Sequence, residues 1–429
     1  MKFNVMVFPC GAVNAIDINT ALKDAMLVNL YGGSSVSDHG EYVFRNYIGN
    51  IPNILEEDFI NEFNKVIDKN NIDFIIPTHD TVAMFLSKNQ SIINAKIVTS
   101  EYRVNEICRY KKKTYDVFKD YDFNPKVYKD ICDIDEYPIY LKPNVGSGGQ
   151  ACLRCDTKEE LIYSLKKNND LIICEYLPGE ELSIDCFTDR HGKLIFVGPR
   201  SRVRTFNGIS ARSSNIELNE EIKIIADEIN KKISLKGYWF FQVKRNKNGK
   251  YKLLEISTRM AGTACLNRNL DINFPLLSIL DMAGYDIDII PNKYNIELDR
   301  TLISRYSIDY DYEIVYIDLD DTLILENKNV NTILMMFLYQ CKNKNIDLIL
   351  ITKHIHDVNE TLEKHSIDKS LFKEIIKVVF EQEKYKYFNK TRKSIFIDNS
   401  FYERKTVKQK LGVPTFDVSN IECLIDWRG

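Results

Sequence analysis

Asp318, Asp320 and Thr322 occupy alternate positions directly after the apolar run Ile314-Val315-Tyr316-Ile317. A strand that delivers two carboxylates and a hydroxyl to one end suits the removal of a phosphoryl group, with one acid as nucleophile and the other moving a proton. Earlier in the chain, Glu255-Ile256-Ser257-Thr258-Arg259 closes a different arrangement, oxygen ligands followed by a guanidinium, of the kind that consumes ATP. A chain carrying both makes a product with ATP and then trims or controls something phosphorylated.

The elements that must hold these groups are legible around them. Ile139-Tyr140-Leu141 reads as a strand that brings Lys142 beside the loop Pro143-Asn144-Val145-Gly146-Ser147-Gly148-Gly149-Gln150. Such a loop lies over phosphates with its backbone N–H groups while the ammonium neutralises their charge; alone, it is equally a flexible hairpin with an exposed lysine. No GKS or GKT follows, so it is not a Walker loop. Ile172 to Leu177 reads as a strand running into the acidic turn Gly179-Glu180-Glu181, and Leu182 to Phe187 as the next strand. Tyr238 to Lys244 and Tyr251 to Glu255 form a hairpin around Asn246-Lys247-Asn248-Gly249, which sets Gln242 and Glu255 side by side as oxygen ligands for a hard cation. Arg200, Arg202 and Arg204 alternate, so one strand would aim all three at one face, either to hold an anionic substrate or for surface display.

Composition bounds the possibilities. A chain of 429 residues exceeds one compact core and implies two to four domains. Its 44% hydrophobic and 28% charged residues describe a folded chain, and a net charge of -3 without a basic stripe argues against a nucleic-acid partner. The ten scattered cysteines read as reduced thiols, and Cys152 and Cys155 lack two further ligands for zinc. The amino terminus fails as a signal peptide and no apolar stretch approaches the ~20 residues of a membrane span, so a cytoplasmic setting without a membrane partner is expected.

Strands and helices alternate over residues 1–104, with strands at Phe3 to Phe8, Phe74 to Pro77 and Ala95 to Ser100, implying a parallel sheet without a GxGxxG fingerprint and hence a support or substrate platform. Residues 105–300 are sheet-rich and antiparallel, 301–312 read as a linker, and 313–429 form a second parallel unit. Its strands are expected at Ile314 to Ile317, Ile346 to Ile351, Val378 to Phe380, Ser394 to Ile397 and Thr415 to Asp417.

The order of these segments over residues 1–300 resembles the ATP-grasp superfamily, and most of all its carbamoyl-phosphate-synthetase-like branch. The resemblance implies a parallel-sheet α/β N-terminal domain joined to antiparallel-sheet α+β ATP-binding domains. It places Lys111, Lys142, Ser147 and Gly148 at the phosphates of ATP, the backbone from Glu175 to Leu177 at adenine, and Glu181 at the ribose. Gln242, Glu255 and Ser257 would bind Mg2+, although Ser257 stands where the family commonly has Asn. A carboxylate would be activated as an acyl phosphate, with ADP released and an amine attacking, and Arg259 would steady the transferring phosphoryl unless it is structural.

The spacing Asp318-x-Asp320-x-Thr322, followed by Thr352, Lys384 and Asp398, resembles the haloacid-dehalogenase-like (HAD) phosphatases, with a Rossmann-like fold. That resemblance makes Asp318 the nucleophile and Asp320 the acid/base. It gives Thr352 and Lys384 the phosphoryl oxygens, and Asp318, Asp320 through its backbone, and Asp398 the magnesium. Lys386 is an alternative to Lys384, and Glu403 stands in for the acid absent at Asn399. Only 29 residues separate Thr322 from Thr352 and 31 separate Thr352 from Lys384, leaving the domain capless. The expected whole is a bifunctional enzyme that joins a small carboxylate and an amine, one of them phosphorylated, and then removes the phosphate. Two other accounts stand beside it: a ligase with a non-catalytic HAD module, and a phosphatase with a regulatory ATP-binding half. Oligomeric state is not encoded in the apolar pattern.

Overall fold

The computed structural model describes residues 2–428 apart from 147, 148, 150, 169, 207 and 307. The chain divides into two compact units, residues 1–302 and 303–429.

The first unit opens with a five-stranded parallel sheet in the order Asn46–Ile48, Val28–Gly33, Phe3–Phe8, Phe74–Pro77, Lys96–Ile97. Its central strand is apolar throughout because both faces are covered: Val5 and Val7 enter one core, Met6 and Phe8 the other. Helix Phe59–Asn70 covers the second face with Phe59, Phe63 and Ile67, one turn apart. The last strand is two residues, Lys96–Ile97, rather than the expected Ala95 to Ser100. It lies at the sheet edge, where one neighbour suffices, and beyond Ile97 the chain turns toward helix Tyr102–Arg109.

Two antiparallel sheets follow. One has the order Val127–Tyr128, Leu171–Glu175, Ile139–Pro143, Leu153–Cys155. The other has the order Leu194–Ser201, Glu181–Thr188, Gly237–Arg245, Tyr251–Ser257. Leu182, Ile184 and Cys186 alternate onto one face of the second sheet, where they pack with Ile222, Ile225 and Ile229 of helix Glu220–Lys232. That helix starts at Asn219, whose side chain accepts from the Ile222 N–H. The opposite face, carrying Ser183 and Asp185, is left for polar work.

The second unit is a parallel five-stranded sheet in the order Glu374–Lys377, Asp347–Thr352, Ile314–Ile317, Ser394–Ile397, Thr415–Phe416. Val315 and Ile317 face one core, Ile314 and Tyr316 the other. The third expected strand is displaced: it runs over Glu374–Lys377, and Val379 and Phe380 are exposed beyond it. An edge strand with one exposed side tolerates charged ends, so the apolar triplet after it mimicked the stronger signal. Among the described residues no helix is long and apolar enough to cross a membrane.

Candidate functional site

Register builds the first site. Arg200 pairs with Ser183, Ser183 with Gln242, and Gln242 with Glu255, so four residues form one row across four strands on the polar face of the sheet. A second row begins where Glu181 pairs with Lys244. These rows line a cleft of about 640 Å3 together with Lys111, Lys142, Glu175, Leu177, Arg202 and Arg259. The hairpin turn that fixes the register closes at Gly249, where φ is +75°.

Lys142 is buried at the end of strand Ile139–Pro143, and its Nζ donates to the Tyr115 hydroxyl at 3.1 Å. Tyr115 donates in turn to the Leu254 carbonyl at 2.9 Å, which ties the lysine to the Glu255 strand. Lys111 starts the helix Lys111–Val117; its N–H donates to the Asn144 carbonyl at 3.1 Å, and its Nζ lies 3.8 Å from Glu255 Oε2. The Asn144 carbonyl, two positions after Lys142, therefore ties the start of the Lys111 helix to the strand that carries Lys142. Glu175 Oε1 accepts from the Lys126 N–H at 2.8 Å, leaving the backbone beyond it to line the cleft. Ser147 and Gly148 lie outside the described residues.

One expectation is corrected. The arginines do not share a strand: Arg200 lies in Leu194–Ser201 and Arg204 opens Arg204–Phe206 in another sheet, because the chain crosses between sheets at Arg202 and Val203. Each has its own acid. Arg200 is buried and donates to both Asp185 oxygens at 2.6 and 3.0 Å; Arg202 pairs with Glu181 at 2.7 Å; Arg204, half-exposed, pairs with Asp299 and does not line the cleft. Asp185 also accepts from Tyr238 at 2.6 Å and Asn267 at 2.7 Å, so Arg200 belongs to a satisfied buried network. Glu181 is paired with Arg202 at 2.7 Å and lies 3.8 Å from Lys244 Nζ. The Ser257 hydroxyl donates to Asp80 Oδ1 at 2.6 Å.

Asp80 is the residue that sequence reading passed over. It begins helix Asp80–Lys88 just beyond the carboxyl end of strand Phe74–Pro77, where open parallel sheets place functional groups. Its second oxygen accepts from Arg259 Nε at 2.9 Å, so the N-terminal sheet sets the guanidinium that lines the cleft. Asn14 adds a second tie, donating to the carbonyls of Thr78 at 2.8 Å and Met260 at 3.0 Å. Burial alone would push the Asp80 carboxyl up; the Arg259 charge and the hydrogen bonds from Ser257 and Arg259 overcome it and pull its pKa down to about 2.

Because the folded value lies below the unfolded one, the stabilisation is complete above the unfolded pKa near 4 and fades as pH falls toward 2. It amounts to about 2 kcal/mol. Asp80→Asn is expected to lose that amount at neutral pH and to flatten the loss of stability between about pH 5 and pH 2. Urea unfolding in a Trp427→Phe background, where Trp239 alone reports, checks it; an unchanged pH slope would contradict it.

In the second unit Asp318 follows strand Ile314–Ile317 and Asp398 follows the neighbouring Ser394–Ile397. Lys384 bridges them, donating to Asp318 Oδ1 at 2.6 Å and to Asp398 Oδ2 at 2.7 Å, with all three buried. Lys386 is exposed, which decides between the two lysines as bridging groups. Burial pushes the Asp318 carboxyl above its ordinary range, Lys384 pulls it back, and Asp398 raises it again. Thr322 sits beneath, donating toward Asp318 Oδ2 at 3.3 Å and accepting from the Asn399 N–H at 3.0 Å. Thr352 ends its strand fully buried. Glu403 is buried, with Oε1 paired to Lys353 at 2.8 Å and Oε2 left without a hydrogen-bond partner among the described residues. Asp320 stands half-exposed and contacts His354, which the sequence reading did not single out.

The model of the family described as "ATP-grasp in the biosynthetic pathway with Ter operon" matches residues 167–301. A D-alanine–D-alanine ligase from Fusobacterium nucleatum is 24% identical over 158 residues, 34% of this chain and 55% of that ligase, so the match spans about half of that relative's length. Among solved structures, a biotin carboxylase complex from Campylobacter jejuni superposes with a TM-score of 0.57 at 15% identity, covering 68% of this chain and 74% of the other. An L-amino acid ligase from Bacillus licheniformis gives 0.53 at 17% identity over 68% and 78%. The N5-carboxyaminoimidazole synthetase from Staphylococcus aureus, complexed with ADP, gives 0.55 at 16% identity over 68% and 80%. The chain therefore carries a mixed α/β ATP-grasp fold with parallel and antiparallel sheets.

Proposed function

We propose that the chain is a bifunctional enzyme: an ADP-forming carboxylate–amine ligase, of the carbamoyl-phosphate-synthetase-like branch, in the first unit and a magnesium-dependent HAD-like phosphomonoesterase in the second. The observation that carries the ligase half is the row that sets Gln242 opposite Glu255 in one cleft with Lys111 and Lys142.

In this reading the adenine lies along the backbone from Glu175 to Leu177, and Lys111 and Lys142 neutralise the phosphates. The donors fit a hard cation: Gln242 and Glu255 offer only oxygen in the first site, as do Asp318 and Asp398 in the second. Magnesium held by these residues would supply positive charge against the phosphate oxygens. A carboxylate oxygen attacks the γ-phosphorus, ADP leaves, and the amine then displaces phosphate from the acyl carbon. Arg259, braced by Asp80, donates to the transferring phosphoryl.

The second half rests on Asp318, Lys384 and Asp398 meeting at the carboxyl ends of adjacent parallel strands. Asp318 takes the phosphoryl group as an aspartyl phosphate, Thr352 and Lys384 hold its oxygens, and Asp320 exchanges the proton with leaving group and water. The substrates are a small carboxylate and an amine, one of them phosphorylated, and hydrolysis of the amide product's phosphate draws the ligation forward.

The test supplies ATP and magnesium with a panel of carboxylates and of free and phosphorylated amines, with products read by mass spectrometry. ADP is expected only when an acid and an amine are both present, together with a new amide; ADP absent from every combination would sink the ligase reading.

A further inference from the structure

Asp320 is the exposed member of the second site, with half of its side chain in solvent, and a carboxylate so placed samples several rotamers unless something holds it. Something does. His354 Nδ1 lies 2.8 Å from Asp320 Oδ1 and 3.1 Å from Oδ2. The imidazole is itself fixed at its far side, where Nε2 lies 2.8 Å from Thr361 Oγ1. The Thr361 hydroxyl spends its hydrogen on the Asp357 carbonyl at 2.8 Å, so it meets Nε2 with a lone pair and Nε2 carries the hydrogen. The backbone joins the same construction, with the His354 N–H donating to Thr352 Oγ1 at 3.2 Å. The ring is buried, 5% exposed, beside a carboxylate that is 52% exposed. A buried, doubly anchored ring gripping a solvent-facing acid is a rigid part holding a mobile one.

We propose that His354 is a positioning residue for Asp320, holding its carboxyl where it can pass a proton to the leaving-group oxygen. The inference rests on the phosphatase reading of this unit. In the step concerned, an Asp318 oxygen forms a bond to phosphorus, the bond from phosphorus to the leaving oxygen breaks, and the Asp320 proton goes to that oxygen. In the second step water attacks the aspartyl phosphate, gives its proton to Asp320 and releases Asp318 and phosphate. His354 touches neither the phosphoryl group nor water in this scheme; it fixes the direction of the acid. The benefit is proximity, which general acid catalysis requires within hydrogen-bond reach.

A role through the acid has a signature that a role in folding lacks. Phenyl phosphate and 4-nitrophenyl phosphate have nearly the same shape, but only the more basic phenolate needs a proton as it leaves. With the full chain and magnesium, His354→Ala is expected to lower kcat/KM for phenyl phosphate about tenfold more than for 4-nitrophenyl phosphate. His354→Asn, whose carboxamide keeps a hydrogen-bonding group near the Nδ1 position, is expected to recover part of that difference. Thr361→Val removes the anchor while leaving the imidazole in place, and is expected to shift the same ratio more weakly; it keeps the test open if the His354 variants fail to fold. Equal losses on both esters in all three variants overturn the inference and leave the phosphatase reading standing. No hydrolysis of either ester by the unaltered chain overturns both.

Discussion

Asp318→Asn is expected to abolish phosphate release from aryl phosphates, by at least about 10³-fold, while ADP formation in the first unit continues at the unaltered rate. The amide carbonyl of Asn cannot attack phosphorus as a carboxylate does, yet it is nearly isosteric and can still accept from Lys384 Nζ in place of Oδ1. The substitution therefore removes chemistry without creating a cavity, although the Lys384 charge is then balanced by Asp398 alone. In the coupled reaction the variant should accumulate an amide heavier by one phosphoryl group than the product of the unaltered chain. Identical products from both proteins would dissolve the proposed sequence and leave the second unit with a separate substrate.

Glu255→Gln is the matching experiment on the first unit. It keeps the shape of the hairpin, whose register is set by backbone pairing with Gln242, and removes the one carboxylate opposite that residue. It also frees Lys111, 3.8 Å from the lost charge. A site left with two neutral amides holds a divalent cation poorly, and ADP formation is expected to fall about 10²-fold or more, with partial recovery at high magnesium. Hydrolysis of phenyl phosphate by the same variant should be unchanged. A variant that still forms ADP at the unaltered rate would show that the Gln242 and Glu255 pair does not hold the metal.

What could be seen in advance follows the range of the interactions. Lys142, Gln242 and Glu255 were visible because a strand end or a tight hairpin fixes them within a few residues of an apolar run. Asp318 and Asp398 were visible because adjacent parallel strands bring their carboxyl ends together, whereas Lys384, at the start of the short helix Lys384–Tyr387, was named only through the family resemblance, with Lys386 as its alternative. The groups that sequence reading missed or misplaced depend on closure across the fold. The hydroxyl of Ser257 donates to Asp80 across 177 positions, and nothing near Ser257 announces it. Arg200 looks like one of a row of binding cations, but becomes the centre of a buried network when Asp185, Tyr238 and Asn267 converge. Alternation predicted one face for the three arginines, and a crossing between sheets at Val203 cancelled it. His354 stands two positions past Thr352 and was hidden for another reason: histidine after a strand is unremarkable until Asp320 is seen against it.

The central claim is that the first unit activates a carboxylate by phosphorylating it, and the transfer of one oxygen reports that step directly. The Asp318→Asn chain, chosen so that phosphate arises only from ligation, is supplied with ATP, magnesium, an amine and a carboxylate labelled with oxygen-18. The account predicts that each amide formed is accompanied by ADP and one inorganic phosphate carrying a single labelled oxygen. Release of AMP, or of phosphate without label, would contradict it.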